Sequence, residues 1–175
     1  MCIRDRLNGA NLQGSNLTKT FFASSDLRGA NLSETDCSGA KFNGADLDGC
    51  TFKKATLRKI DFSNRDLRDV DFSEADLRRA DLRKSNLKKV NFFKADLRKT
   101  LFTEANLTGA YLSSTLLEDT DFQWANLSKA VLRYFLNLTA VQIQSAKIDR
   151  ETKVPHYLKI DWVSETDFHC KENAV

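Results

Sequence analysis

The sequence predicts an all-β solenoid with a square cross-section, about 6.5 coils long and followed by a short C-terminal α-helix. Three observations carry this. Leu or Phe recurs at every fifth position from 7 to 132 with no insertion: 26 steps, broken only by Cys37. A period of five suits neither a helix, which would rotate each such residue by about 140°, nor a straight strand, which would flip it, so the chain must turn once per repeat. Two residues before the central one, Ala, Ser, Thr or Cys fills 21 of 26 sites, so a second, small residue also points inward. Finally, the central residues sort into columns of period twenty. Leu7, Leu27, Leu47, Leu67, Leu87, Leu107 and Leu127 form one, and Phe22, Phe42, Phe62, Leu82, Phe102 and Phe122 another. Stacked coils need such size-matched columns because each side chain packs on its equivalent one strand spacing away.

The elements follow in chain order. "MCIRDR" precedes the repeats without a capping element. It resembles a junction peptide translated from a sequencing adapter, and the native N-terminus is expected to be missing. Residues 5–134 are expected to form the solenoid, a rod of roughly 31 Å. All seven glycines fall two residues after a central position, at the corners, where positive φ relieves the turn. The Asp or Asn before the central residue, present in 17 of 26 repeats, is expected to bond the backbone at these turns. Residues 135–155 read as a cap. Thr139 and Gln142 have capping-box spacing and Leu138 with Ile143 that of a hydrophobic staple, predicting a helix over 140–149 that ends before Pro155. The tail, 156–175, is expected to pack over outward apolar residues near the C-terminal end, Tyr111 and Val131 foremost, unless a second subunit covers them in a homodimer.

The repeats "ADLRR", "ANLTG" and "ADLDG" show the pattern A(D/N)LXX, and the chain over residues 5–134 resembles the pentapeptide-repeat family. That resemblance implies a right-handed quadrilateral β-helix in which four pentapeptides make one coil of twenty residues. Some family members resemble duplex DNA in shape and charge and bind type II topoisomerases. Such mimicry requires a strongly acidic surface, and a pI near 8.7 counts against it here.

Charge is unevenly spread. Lys and Arg number five against six Asp and Glu over residues 1–52, 15 against eight over 53–99, and seven against ten over 100–175. Folded onto the square, the basic belt puts Arg58, Lys59, Arg78, Arg79, Arg98 and Lys99 in one column, on the side centred on Leu57, Leu77 and Leu97. One reading is a solvated face with Asp61, Asp66, Asp76, Asp81 and Asp96 as partial counter-charges. The other starts from the repulsion of cations stacked in register, which an anionic macromolecule would relieve. No nucleic-acid motif is legible, and Phe93 is the one exposed aromatic expected within the belt.

Catalysis finds no support. His156 and His169 both lie in the tail, and no nucleophile with its base can be assembled. Cys2, Cys37, Cys50 and Cys170 lack metal-ligand spacing, so neither metal nor cofactor is implied, and a reduced, cytoplasmic protein is the default expectation. No run of eighteen apolar residues offers a membrane span. The expected role is therefore a binding or scaffold protein. Two irregularities stand out: Arg65 takes an inward small-residue position, where its charge must escape or pair, and Ile60, Val70 and Val90 are bulky at equivalent sites and should widen the central coils.

Overall fold

The computed structural model describes residues 6–134 and 137–173. "MCIRDR" up to Asp5, with Cys2 in it, lies outside them. From Arg6 onward, parallel single-residue bridges join positions twenty apart: Arg6 to Asp26, Asn31 to Thr51, Asp76 to Asp96, and so on to Tyr111 with Val131. Each coil donates and accepts in step with the next, as where Leu77 N–H donates to Asp96 C=O at 2.9 Å and Asp96 N–H donates to Ala75 C=O at 2.9 Å. Most faces thereby pair their backbone groups with the coil above or below, which is what turns a five-residue pattern into a stack.

The columns assemble inside as the sequence indicates. Phe52, Phe72 and Phe92 stack with centroids 5.3 and 5.5 Å apart and planes within 14°, and Phe102 with Phe122 at 5.4 Å and 8°. Central residues from Phe22 to Leu132 are buried, whereas Leu7, Leu12 and Leu17 are only half-buried, since their coil has a described neighbour on one side alone. Cys37 and Cys50 are buried as small hydrophobes, and burial pushes their thiols up to about 11 and about 12.

Most turns close with a backbone bond from the third residue after the centre to the centre itself, as from Ala80 N–H to Leu77 C=O at 2.9 Å. The preceding Asp or Asn adds a second bond: Asp76 Oδ1 accepts from Arg78 N–H at 3.3 Å and Asn126 Oδ1 from Ser128 N–H at 3.1 Å. All the corner residues have positive φ, and 19 of them are not glycine, Lys59, Arg79, Lys99 and Trp124 among them. Glycine marks the corner in the sequence, but the ladder imposes the left-handed conformation on whatever stands there.

Beside Ile60 and Arg65 the ladder is parted. The bridges Lys41 to Asp61 and Asp46 to Asp66 do not form, and Phe42, Gly44, Leu47 and Gly49 N–H make no backbone hydrogen bond. Their equivalents one coil later do: Phe62 donates to Asp81 and Leu67 to Asn86, both at 2.8 Å. The seam falls where Ile60 and Arg65 stand over Ala40 and Ala45. Ile60 is buried, but Arg65 is half-buried and its side chain makes no hydrogen bond or ion pair among the described residues. A long, branched and charged pair of residues over two alanines holds the coils apart on two faces. The charge of Arg65 is thus accommodated by distortion rather than pairing. Phe42 still meets Phe62 at 5.4 Å, tilted by 48° where other rungs of the Phe columns lie nearly parallel, so the core bridges the gap.

After the solenoid, α1 (Ala140–Gln144) is five residues long, not the ten expected over 140–149. Its capping box is complete: Gln142 N–H donates to Thr139 Oγ1 at 3.2 Å and Thr139 N–H to Gln142 Oε1 at 3.0 Å. The helix stops because the following residues return to the ladder. Leu127 N–H donates to Lys147 C=O and Leu132 N–H to Lys153 C=O, both at 2.7 Å, and these bonds displace further helical turns. Gln142 Nε2 also bonds Leu117 and Thr120 C=O at 2.8 and 2.9 Å. The tail forms an antiparallel hairpin of β1 (Leu158–Trp162) and β2 (Phe168–Glu172), tied to α1 by Gln144, which bonds Phe168 C=O and Cys170 N–H at 2.8 Å each. Tyr111, Leu116 and Trp124 remain exposed.

Candidate partner-binding face

The six cations of the column come from three successive coils of the Leu77 face. Arg58, Arg78 and Arg98 follow the central leucine, so each projects from the same outer side of a strand as the residue two before it, Thr56, Asp76 and Asp96 respectively. The result is a ladder of ion pairs. Arg78 clasps Asp76 with Nε to Oδ1 at 2.9 Å and Nη2 to Oδ2 at 2.8 Å, and its Nε lies 3.4 Å from Asp96 Oδ2 in the next coil. Arg98 clasps Asp96 in the same way at 2.9 and 2.6 Å, and Arg58 reaches up to Asp76 Oδ2. Burial pushes the Asp76 carboxyl up, but the bonds from Arg78 and Arg58 outweigh it and hold the group at about 2.

Lys59, Arg79 and Lys99 occupy the corners, at φ 57°, 60° and 61°. Lys59 and Arg79 make no ion pair among the described residues, and Lys99 Nζ lies 3.7 Å from an exposed Asp119 carboxylate. Two shallow concavities run between the rungs, one lined by Arg58, Lys59, Arg78 and Arg79, the other by Arg78, Arg79, Arg98, Lys99 and Glu118. The six residues therefore divide into three arginines held in line by carboxylates and three cations standing free or nearly so at the edge. Such a surface can attract and align an anion, but it has no nucleophile, general base or enclosed cleft. Among the described residues no group of His, Cys, Asp or Glu could hold a metal ion.

The match to known proteins follows the repeats. "Pentapeptide repeat region" matches residues 15–92 and "Pentapeptide repeats (8 copies)" matches 95–133. The chain belongs to the pentapeptide-repeat family. Its similar solved structures include HetL from Nostoc sp. PCC 7120, a pentapeptide-repeat protein involved in heterocyst differentiation regulation. HetL is 26% identical, with a TM-score of 0.64 over 85% of this chain and 74% of HetL. The pentapeptide-repeat protein alr5209 of Nostoc PCC 7120 is 31% identical over 62% of this chain and 77% of its own, with a TM-score of 0.46. QnrB1, a plasmid-mediated fluoroquinolone resistance protein, is 17% identical over 85% of this chain and 89% of its own, with a TM-score of 0.37. No curated protein matches. This pentapeptide-repeat protein thus shares its right-handed quadrilateral β-helix with structures of known fold, and no catalytic family is indicated. Among the described residues no helix is long and apolar enough to cross a membrane.

Two features of the pentapeptide-repeat surface escaped the reading of the sequence. The pairing of arginines with their own repeat was legible in the tripeptide Asp-Leu-Arg, which occurs at 26–28, 66–68, 76–78, 81–83 and 96–98, and forms an ion pair each time. The second is a diagonal relation. A residue just after one centre lies beside the residue just before the centre one coil on, eighteen positions away: Arg58 meets Asp76, Thr103 meets Asp121, and Phe93 meets Tyr111. Square stacking makes eighteen a neighbour distance, a signal the period-twenty columns do not display.

Proposed function

We propose that this protein is a non-enzymatic binding or scaffold protein that engages an anionic macromolecule through the Leu77 face of its solenoid. The observation that carries the reading is the edge formed by Lys59 and Arg79, which make no ion pair among the described residues, and Lys99, held only loosely by Asp119, beside arginines already aligned by Asp76 and Asp96. Carboxylates that hold arginines in line lower the ordering cost of binding, while the edge cations supply the uncompensated charge. Successive rungs lie about 4.8 Å apart, against about 7 Å between phosphates along a DNA strand, so pairing is imperfect and binding is electrostatic, without sequence preference. Mimicry of duplex DNA towards a topoisomerase fits poorly with a belt of this sign. The supporting architecture in this reading is a solenoid over 5–134 of about 6.5 coils, a cap over 135–155 that covers its last coil, and a tail over 156–175 that packs on the solenoid.

The test is retention on immobilised heparin and on duplex DNA, read as a function of salt. Wild type should bind at roughly 50 mM salt and release by roughly 200 mM. The variant with Gln at Arg78, Arg79, Arg98 and Lys99 should lose most of that retention with an unchanged circular dichroism spectrum. A wild-type protein that binds neither ligand at low salt would reduce the belt to a solvated face.

A further inference from the structure

The face adjoining the basic column, centred on Phe52, Phe72, Phe92 and Leu112, carries an outward aromatic pair. Phe93 and Tyr111 come from successive coils, and their rings lie 5.9 Å apart, tilted by 31°. Tyr111 is 41% exposed and Phe93 half-buried. Lys94, at the corner shared with the Leu77 face, places its Nζ 5.2 Å from the Phe93 centroid. Lys89 stands at the opposite corner, and Arg133 follows in the column that holds Phe93. Among the described residues none of the three makes an ion pair.

These rings stand where the repeat has polar residues, and local stability does not explain them. The position of Tyr111 is Asn or Asp at 91 and 71, where the side chain accepts the turn N–H: Asn91 Oδ1 from Phe93 and Asp71 Oδ1 from Ser73. Tyrosine cannot do this. The hydroxyl of Ser113, the residue that would have bonded such a side chain, is buried and has no hydrogen-bond partner. Thr108 shows what is lost, since its hydroxyl bonds Asn106 Oδ1 at 2.7 Å. The pair thus gives up a turn bond and orphans a hydroxyl in order to hold two rings at the surface.

We propose that Phe93 and Tyr111 form a stacking platform for the bases of a single-stranded nucleic acid. The strand's phosphates lie along Lys89 and Lys94 and continue round the shared corner to Arg98 and Lys99. The proposal rests on the reading of the basic face and narrows its partner. Phosphates alone need only the cations. Rings exposed between cations match a strand whose bases are unpaired, because in a duplex those faces are already stacked on one another. Recognition of this kind tolerates any sequence, as every base offers a flat face.

The experiment compares three probes at roughly 50 mM salt: a labelled oligothymidylate of about twenty nucleotides, an abasic strand of the same length, and heparin. The wild-type protein should bind the oligothymidylate at least about tenfold more tightly than the abasic strand. The Phe93→Ser, Tyr111→Asn double variant installs residues the repeat itself uses. It should fold with undiminished thermal stability, level the two strands and leave heparin retention unchanged. Equal wild-type affinity for both strands, or a preference that survives the double substitution, overturns the platform and leaves the basic face standing. Failure to bind any of the three probes overturns both.

Discussion

Replacing Arg65 by Ala should tighten the solenoid. In the wild-type chain the seam leaves Phe42, Gly44, Leu47 and Gly49 N–H without the partners that Phe62, Asn64, Leu67 and Asp69 have one coil later. Arg65 is the largest departure from the small-residue rule at that level, and among the described residues its guanidinium has no partner whose loss would offset the change. With alanine over Ala45, the strand centred on Leu67 can settle onto that centred on Leu47. Four recovered bonds at about 0.5–1.5 kcal/mol each set an upper range. Ile60 still props the neighbouring face, and the aliphatic stem of Arg65 loses its packing, which leaves a net gain of about 2 kcal/mol. For a chain of this size that raises Tm by about 4–8 °C. Amide hydrogen exchange tests the cause as well as the size. In the wild type, the amides of Phe42, Gly44, Leu47 and Gly49 should exchange faster than those of Phe62, Asn64, Leu67 and Asp69, and in Arg65→Ala the difference should shrink. Equal protection of the two sets in the wild type would show that the ladder is continuous there. An Arg65→Ala protein with unchanged or lower Tm would show that Arg65 does not hold the coils apart.

Two further predictions concern the outer surface. Because its pairs hold Asp76 at about 2, below its unfolded value of 3.8, the stability it contributes is fully present above about pH 4 and is lost as pH falls towards 2. Between pH 4 and pH 2, denaturant midpoints should fall less for Asp76→Asn than for wild type, and parallel titrations would remove the Arg ladder from the account. At the corners, Gly44→Lys should cost about 1–2 kcal/mol, since φ is +72° and a Cβ would stand 3.2 Å from Ser24 Oγ, whereas Lys89→Gly, relieving φ 57°, should gain up to about 1 kcal/mol. Thermal melts of both decide this, and a stabilised Gly44→Lys would contradict the strain argument.

Residues spaced by a fixed number of positions could be read from the sequence alone. The inward Leu and Phe columns, the small residues beside them, the turn-bonding Asp and Asn and the capping box at Thr139 and Gln142 all follow from local spacing. In a solenoid each coil repeats the last, so a residue's vertical neighbour is always twenty positions away. That is why the sequence places Phe22 with Phe42 and Phe102 with Phe122 in one column, and the rings stack there. The candidate face was legible to the same depth: Arg58, Arg78 and Arg98 fall in one column by arithmetic.

Tertiary structure decided what depends on the size and reach of side chains across coils. It set Asp76 between Arg58 and Arg78, so that half of the basic column is internally compensated and the free charge lies at Lys59 and Arg79. It also brought Tyr111 against Phe93 and stopped α1 at Gln144, where ladder bonds to Ala125 and Leu127 compete with further helix. The parted ladder beside Arg65 belongs here too. Periodicity specifies which residues face each other, but whether two facing coils close depends on the fit of Ile60 and Arg65 over Ala40 and Ala45, and volume mismatch in a close-packed interior is a property of the stack rather than of any repeat within it.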